Sequence, residues 1–362
     1  MLNYKNNKIL IDCTSLDGTF TGLGTYVLGL VYQYESIKKF QFYYLSTLIG
    51  KSQLLQCVPG LTEDRIHVVS FGIIGFTREV FFLKNRKLLK QFDLYHCLHS
   101  YAPLFLDKKR LVVTIHDLKY VDFPAYIGSV VKSLAIRLYI RNSFLRSAAC
   151  VCISHFTRKR LKSRFGHKFY GNTKIIYHGS DNRLSTDVKL KTSGSKFLLF
   201  VGENRPHKNI KNLLLAFKII REKFDNINLF IVGKGFEKYD NHQNVKFLGE
   251  IDNKKLNQLY AQATCFVFAS LYEGFGLPII EAMSRGTPVV TSFGNACEEI
   301  SGGFAITVDP KSPASIAEGI ALVLNGEANI QTELAMEHAL CYKWSKSAES
   351  HIELYETLLS NN

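Results

Sequence analysis

The sequence predicts an α/β protein of two domains, each a doubly wound parallel sheet with helices on both faces. Three observations lead to this prediction. The chain has 362 residues, which is long for one ordinary domain and suits two. Short apolar segments alternate with longer amphipathic ones, the pattern of strands followed by crossover helices. A polar stretch, residues 181–196, contains few apolar side chains and separates two such runs.

The composition is that of a globular protein, with 46% hydrophobic and 21% charged residues. No apolar run approaches the ~18 residues of a membrane span, and the first residues, MLNYKNNKILIDC, lack the apolar core of a signal peptide. We therefore expect a cytoplasmic protein. The eight cysteines form no C-x-x-C pair, which predicts reduced thiols and neither a zinc site nor a redox motif.

The net charge of +14 is distributed unevenly. Residues 1–190 contain 28 Lys and Arg against 12 Asp and Glu, whereas the remainder contains 17 against 19. The first half is thus expected to face an anionic partner, and nucleic acid and a membrane surface are the usual candidates. The aromatic strand motifs of RNA-binding modules are missing, so no nucleic-acid partner is expected.

Two segments of this basic half, residues 77–92 and 129–146, interleave Lys and Arg with apolar side chains. Such a segment is typical of a basic amphipathic helix lying on an anionic lipid surface. An ordinary helix with a solvated basic face explains either segment equally well. Their occurrence together favours peripheral association with the inner face of the cell membrane.

A glycine-containing turn follows the first predicted strand, residues 8–12, and opens an apolar helix. Its Gly22 and Gly24 would let the backbone approach a diphosphate at a helix N-terminus. The third glycine and the acidic residue of the dinucleotide fingerprint are missing, which disfavours a NAD dehydrogenase. A purely structural turn is an equal alternative for this segment.

Histidines follow two buried strands of the first half. His116 comes directly after the apolar strand 110–115, at the carboxyl edge where parallel sheets bind ligands. An imidazole there can donate to a sugar hydroxyl or a phosphate oxygen, although a structural role is as common. His99, after the strand 93–96, is a further candidate on the acceptor side.

Cations follow the first strand of the second half, residues 197–201. The loop after it contains Arg205, His207 and Lys208, and cations at the edge of a sheet can hold a diphosphate leaving group.

Residues 265–291 contain the largest group of candidate site residues. Their pattern predicts a strand, a glycine-containing loop, a helix and a second strand. Its two acids, Glu273 and Glu281, are acceptor-only groups that suit the hydroxyls of a sugar or a ribose. Pro278 fits the first helical position, so this helix start is predicted to receive an anion. A surface glutamate and a tight turn are the structural alternative.

The string E-G-F-G-L-P-x-x-E-A-M-x-x-G-x-P-V-V, beginning at Glu273, resembles the signature of the retaining family 4 glycosyltransferases. The resemblance implies the GT-B fold, two Rossmann-like domains facing across a cleft. It also implies that Glu273 contacts the donor sugar and that Glu281 binds the nucleotide ribose. The full donor-binding set that it implies is Gly22, Gly24, Arg205, His207, Gly249, Glu250, Ile251, Gly274, Phe275, Gly276, Leu277, Pro278 and Glu281.

The resemblance further implies that Glu273, His116 and Lys208 act in catalysis. The family's P-R-K-N context is here Pro206-His207-Lys208-Asn209, so Lys208 carries over, His207 stands in place of the arginine, and Arg205 is a candidate substitute. No D-x-D motif occurs, and we therefore expect no metal or other cofactor. Lys208, nearby basic groups and helix N-termini are then expected to neutralise the leaving diphosphate.

The predicted activity is transfer of a hexose, with mannose as one possibility, from a nucleotide sugar to a growing lipid-linked glycan of the cell surface. Another GT-B activity such as a nucleotide-sugar epimerase, and a non-catalytic sugar-nucleotide binder, stay open as alternatives. The predicted division is an acceptor-binding domain 1–180, a linker 181–196, a donor-binding domain 197–341, and a helix 342–362 that crosses back to the first domain.

Overall fold

A computed structural model describes residues 4–18, 21–104, 106–166, 172–180, 196–236, 239, 243–328 and 331–360. The chain divides into two compact units. The first comprises Met1–Gly179 together with Lys343–Asn362, and the second comprises Ser180–Tyr342. Apart from Lys196, the predicted linker 181–196 lies outside the described residues.

The first unit contains a parallel sheet of seven strands in the order β3-β2-β1-β4-β5-β6-β7. The strands are β1 (Lys8–Asp12), β2 (Gln41–Ser46), β3 (Ile66–Val68), β4 (Leu94–Cys97), β5 (Leu111–Ile115), β6 (Ala149–Cys152) and β7 (Thr173–Ile175). The helices between them are α1 (Gly22–Ile37), α2 (Leu48–Cys57), α3 (Phe76–Lys84), α4 (Arg86–Leu89), α5 (Lys119–Asp122), α6 (Val130–Leu145) and α7 (His155–Phe165).

The second unit contains a parallel sheet of six strands in the order β10-β9-β8-β11-β12-β13. The strands are β8 (Phe197–Val201), β9 (Asn228–Val232), β10 (Val245–Phe247), β11 (Cys265–Phe268), β12 (Val289–Ser292) and β13 (Ile306–Val308). The helices are α8 (Ile210–Arg221), α9 (Asn253–Gln262), α10 (Leu277–Met283), α11 (Ala296–Ser301), α12 (Pro313–Leu324) and α13 (Thr332–Leu340). Two Rossmann-like parallel-sheet units confirm the predicted fold class.

The last helix, α14 (Trp344–Ser360), belongs to the first unit. It packs on α1, where Gly29 lies so close that a Cβ atom would come within 2.4 Å of the Trp344 ring. The hydroxyls of Tyr34 on α1 and Tyr355 on α14 are 3.1 Å apart. A glycine at position 29 therefore allows the C-terminal helix to join the core of the first unit.

Alternating side chains of the central strands bury both faces of the first sheet. Ile9 and Ile11 of β1 pack into one core layer with residues of α1, α2 and α14. Leu10 packs into the opposite layer, which includes Phe82 of α3 and Ile140 of α6. The two basic segments singled out in the sequence thus lie in the same layer.

Two details of the predicted helices are wrong. The segment 77–92 is not one helix, because α3 ends at Lys84 and α4 begins at Arg86. The Asn85 side chain donates to the Phe81 carbonyl at 2.9 Å, a local bond that competes with helix continuation. The helix after Glu273 begins at Leu277, so Pro278 is its second residue rather than its first.

Among the described helices, none combines the length and apolar character needed to cross a bilayer.

Candidate functional site

The topology of the second unit brings one cation and one carboxylate together. The strand order reverses between β8 and β11, and ligands of doubly wound sheets bind at the carboxyl ends of the strands beside such a switch point. Lys208 follows β8 and Glu273 follows β11, and the Lys208 Nζ to Glu273 Oε1 distance is 2.7 Å. Their side chains are 17% and 13% exposed, so the pair is largely desolvated yet reachable from solvent.

Asn209 fixes the turn that carries Lys208. The short 3-10 turn Pro206–Lys208 ends at Asn209, whose backbone has a left-handed conformation with φ of 62°. The buried Asn209 side chain donates to the carbonyls of Ala269 at 2.9 Å and Pro310 at 2.6 Å. The loop after β8 is thereby tied to the end of β11, which sets the position of Lys208.

The loop after β11 places Glu273 just before α10. Gly276 caps α10 with φ of 117°, a conformation that disfavours any residue with a Cβ atom. Such an atom would also lie 3.1 Å from Ile279 Cδ1. The Cys297 thiol lies behind this turn. Its pKa is raised, chiefly by burial, so the thiol stays neutral. Phe275 and Leu277 are buried and support the loop.

Glu281 lies on α10, and one of its carboxylate oxygens, Oε2, accepts a hydrogen bond of 2.9 Å from the Tyr260 hydroxyl of α9. The side chain is only partly buried. Glu281 can therefore accept further hydrogen bonds from a ligand.

Three loops at the carboxyl edge of β8, β9 and β10 form one cluster. Gly233 packs so closely on the loop after β8 that a Cβ atom would overlap the Gly202 carbonyl, and the Gly233 amide donates to the Gly249 carbonyl at 2.9 Å. Lys234 Nζ lies 3.7 Å from Glu203 and 3.6 Å from Glu250. No sequence motif marks Lys234 as part of this cluster.

Arg205 and His207 differ in their surroundings. Arg205 is 63% exposed and its Nε donates to Glu203 of the same loop at 3.0 Å. His207 is buried, and its carbonyl accepts from the Leu271 amide at 2.8 Å. The exposed guanidinium of Arg205 can reorient toward a ligand, whereas His207 belongs to the packed turn beneath Lys208.

In the first unit, His116 follows β5 at the carboxyl edge of the sheet. Its Nε2 lies 2.8 Å from the Leu98 carbonyl. Because a carbonyl only accepts, Nε2 carries the proton and Nδ1 is the acceptor nitrogen. Burial lowers the pKa of His116 to about 4, so the ring is neutral near pH 7. His116 can thus accept a hydrogen bond but carries no positive charge for a phosphate.

The glycines after β1 open α1. Thr21 caps this helix, and its hydroxyl oxygen accepts from the Gly24 amide at 3.2 Å. Among the residues that the structure describes, none outside the adjoining chain has an atom within 4 Å of a Cβ atom placed on Gly22. The Gly22 end of the turn is therefore the part that a ligand can approach.

A second polar cluster lies at the switch point of the first sheet, between β1 and β4. Asp12, Cys97 and His99 place three potential metal ligands within 4.8 Å of one another, all of them buried. Arg78, itself fully buried, donates to Asp12 Oδ2 at 3.0 Å, and Tyr95 donates to the same oxygen at 2.5 Å. The guanidinium already balances the carboxylate charge, so the cluster functions well as a hydrogen-bonded core network. His99, predicted on the acceptor side, belongs to this buried network.

Comparison with known proteins agrees with this geometry. The family described as "Glycosyl transferases group 1" matches residues 182–339, and "Glycosyltransferase Family 4" matches residues 61–183. An uncharacterized glycosyltransferase of Methanocaldococcus jannaschii is 32% identical over 303 residues, which cover 74% of this chain and 75% of that protein. This chain is a family 4 glycosyltransferase.

Two further likenesses extend over nearly the whole chain. The O-antigen chain mannosyltransferase B of Escherichia coli is 24% identical over 97% of this chain and 100% of its own length. The structure of Anabaena HepE in complex with UDP and glucose superposes with a TM-score of 0.72 at 17% identity, covering 97% of this chain and 100% of that chain. The fold of this glycosyltransferase is therefore shared with a protein captured with a nucleotide and a sugar.

The structure groups the predicted site residues of the glycosyltransferase by unit. Lys208, Glu273 and the α10 start lie at the second switch point, and the turn from Gly249 to Ile251 lies at the same edge of that sheet. Gly22, Gly24 and His116 lie at the carboxyl edge of the first sheet. Sequence reasoning missed Tyr260, because a tyrosine within an amphipathic helix carries no motif.

Proposed function

We propose that this glycosyltransferase moves a hexose, in our assignment mannose, from a nucleotide-diphosphate sugar to a hydroxyl of a lipid-linked surface glycan with retention of anomeric configuration. The observation that carries the proposal is the Lys208–Glu273 pair at the switch point of the second unit. The choice of mannose and of a surface glycan is supported by the likeness to the O-antigen chain mannosyltransferase.

The two charges suit the two parts of a nucleotide sugar. An ammonium group attracts the negative charge that develops on the departing diphosphate, and a carboxylate accepts from sugar hydroxyls. Lys208 Nζ also lies 4.7 Å from the Phe268 ring centroid, a cation–π contact that holds it beside β11. Donor binding would replace part of the contact between Lys208 and Glu273 by contacts to the ligand.

In the step that we propose, the bond between the anomeric carbon and the leaving phosphate oxygen breaks as the acceptor oxygen bonds to the same face of that carbon. The acceptor proton passes to the departing phosphate, so charge and atoms balance. Lys208 supplies positive charge at that phosphate, and we propose that no divalent metal is needed. Gly22, Gly24 and His116 take the donor contacts that their family resemblance implies.

The basic first unit is proposed to rest on the membrane that carries the acceptor. Two helices of one layer, α3 and α6, are joined by a hydrogen bond from the Tyr139 hydroxyl to Glu79 at 3.1 Å. On α6, Val130, Leu134 and Leu138 are 86%, 57% and 53% exposed, and exposed Arg137 and Arg141 occupy the same side of the helix. We call the exposed side chains of α3 and α6 the basic apolar surface. Apolar side chains with flanking arginines match the interface of an anionic bilayer.

Lys208→Ala and Glu273→Gln test the activity. Each should lower transfer from UDP- or GDP-hexose by about 10²-fold or more, because each removes a group that stabilises charge or orients the sugar. Transfer by the unmodified enzyme, assayed by mass spectrometry of the glycolipid product, should persist in excess EDTA. Lys218→Ala, which removes an exposed lysine of α8, is the matched control and should retain activity.

Near-normal transfer by either site variant would overturn the site, and abolition of transfer by EDTA would overturn metal independence. Incubation with nucleotide sugar alone separates the alternatives, because an epimerase would convert the donor without an acceptor.

A further inference from the structure

The carboxylate of Glu281 is held from its buried side by a tyrosine of the neighbouring helix. Tyr260 is 1% exposed, and its hydroxyl donates to Glu281 Oε2 at 2.9 Å. Burial, followed by the charge of Glu281, raises the pKa of Tyr260 well above its usual value. The phenol is therefore protonated throughout the physiological range and acts as a permanent donor.

The tyrosine itself cannot move freely. The Thr287 hydroxyl donates to the Tyr260 carbonyl, and the Tyr260 ring packs edge-on against Phe266 with 5.4 Å between ring centroids. Beside it, Arg285 Nη2 donates to Asn257 of α9 at 3.0 Å. Because α9 is fixed at these points to β11 and to the turn between α10 and β12, the position of the Tyr260 hydroxyl is set by the packed core.

Two adjacent hydroxyls of a ribose demand a carboxylate in one defined orientation. An ionised carboxylate offers about four acceptor positions, and the bond from Tyr260 occupies one of them, so a ligand can donate to others. A glutamate side chain otherwise loses rotamer freedom when it binds, and a fixed neighbour removes that loss in advance. The partial exposure of Glu281 gives a ligand access to it.

We propose that Tyr260 is a positioning residue that fixes Glu281 for the vicinal hydroxyls of the donor ribose and so determines discrimination between ribose and deoxyribose nucleotides. This inference rests on the proposed function, extended by the ribose contact that the family resemblance implies for Glu281. Tyr260 acts through Glu281 and has no direct contact with the ligand. Its effect is confined to the sugar hydroxyls, and the base and diphosphate contacts do not depend on it.

Tyr260→Phe removes only the hydroxyl and tests the inference. Calorimetric titration would use UDP and GDP, followed by the 2′,3′-dideoxy form of whichever the unmodified enzyme binds more tightly. The variant should bind the ribonucleotide about tenfold more weakly, because the bond to a charged group is lost, and bind the dideoxynucleotide unchanged. In transfer assays, KM for the nucleotide sugar should rise about tenfold while kcat changes less than twofold.

The matched control is Tyr44→Phe, which removes another buried phenol bonded to a carboxylate, Glu35 Oε1 at 2.6 Å, in the first unit. It should leave both affinities unchanged. Equal weakening of ribo- and dideoxynucleotide by Tyr260→Phe would show a general structural effect and overturn the inference, as would unchanged ribonucleotide binding.

Glu281→Gln separates this inference from the proposed function. If Glu281→Gln loses discrimination and Tyr260→Phe keeps it, only the role of Tyr260 fails. If Glu281→Gln itself retains full discrimination, the ribose contact of the proposed function fails, and the role of Tyr260 with it. In the Glu281→Gln background, Tyr260→Phe should add less than a twofold further loss, because the two residues act as one unit.

Discussion

At the scale of single residues, the ligand-binding side chains of the site depend on other side chains that hold the backbone in place. Asn209 has a left-handed backbone conformation that few residues other than glycine adopt, and its side chain bonds two carbonyls in the interior. Because Lys208 precedes it, the position of the predicted phosphate-binding ammonium follows from the conformation of Asn209.

Asn209→Ala should lower the free energy of unfolding of the second unit by about 3 kcal/mol, since it loses buried hydrogen bonds and strains the backbone. Asn209→Gly should cost about 1 kcal/mol less than Asn209→Ala, because glycine tolerates the positive φ. Urea unfolding monitored by far-ultraviolet circular dichroism, which does not rely on a tryptophan signal, measures the free energy of unfolding of both variants. Equal stability of the two variants would show that the left-handed backbone carries no strain.

At the scale of secondary-structure elements, α6 is unusual in exposing apolar and basic side chains together over its first turns. Val131 is 78% exposed, next to Val130 and one turn before Leu134. A helix that only covered the sheet would direct such side chains inward. The basic apolar surface is therefore where we expect the first unit to bind a partner.

Arg137→Gln with Arg141→Gln should weaken binding to vesicles that contain anionic phospholipid, by roughly 1 kcal/mol for each charge removed. The matched control, Lys108→Gln with Lys109→Gln, removes two exposed charges from a turn of the same unit that lies outside α3 and α6. Vesicle sedimentation measures both. The same loss for both variants would mean that net charge, rather than this surface, drives binding, and unchanged binding would favour a solvated basic face.

At the scale of the molecule, the first unit keeps neutral histidines in a buried polar network around α14. His96 bonds the Tyr355 hydroxyl of α14 at 2.6 Å, and His351 of α14 lies 3.4 Å from the Tyr26 hydroxyl. Burial lowers the pKa of His351 from 6.5 to about 4 and lowers that of His96 well below 6.5. The folded unit therefore binds fewer protons than the unfolded chain in the acid range.

Stability of the first unit should accordingly be highest above about pH 6.5 and fall as the pH drops toward 4, where the unfolded chain gains protons first. His351 alone should account for about 3 kcal/mol of this loss. Denaturant titrations at several pH values measure it, and His351→Leu should reduce the slope. Thr357→Ala, at an exposed position on α14, removes no titratable group and is the control that should leave the slope unchanged.

The sequence by itself determined the fold class and the family, and it predicted the candidate site residues of the second unit. Strand and helix periods, polar breaks and the string from Glu273 to Val290 are local patterns, so they are visible without coordinates. Strands β1 and β8 have the same bounds in prediction and structure, because their apolar runs are sharply bounded. The family followed from the same string, and the comparisons confirm it.

Only the tertiary structure decided which of these residues meet. Lys208 and Glu273 are 65 positions apart, and the strand order of the sheet brings them within 2.7 Å. Tyr260 supports Glu281 from a different helix, and Arg78, in the basic segment 77–92, donates to the buried carboxylate of Asp12. Such contacts depend on crossovers between strands and on side-chain packing, neither of which leaves a periodic signal in the chain.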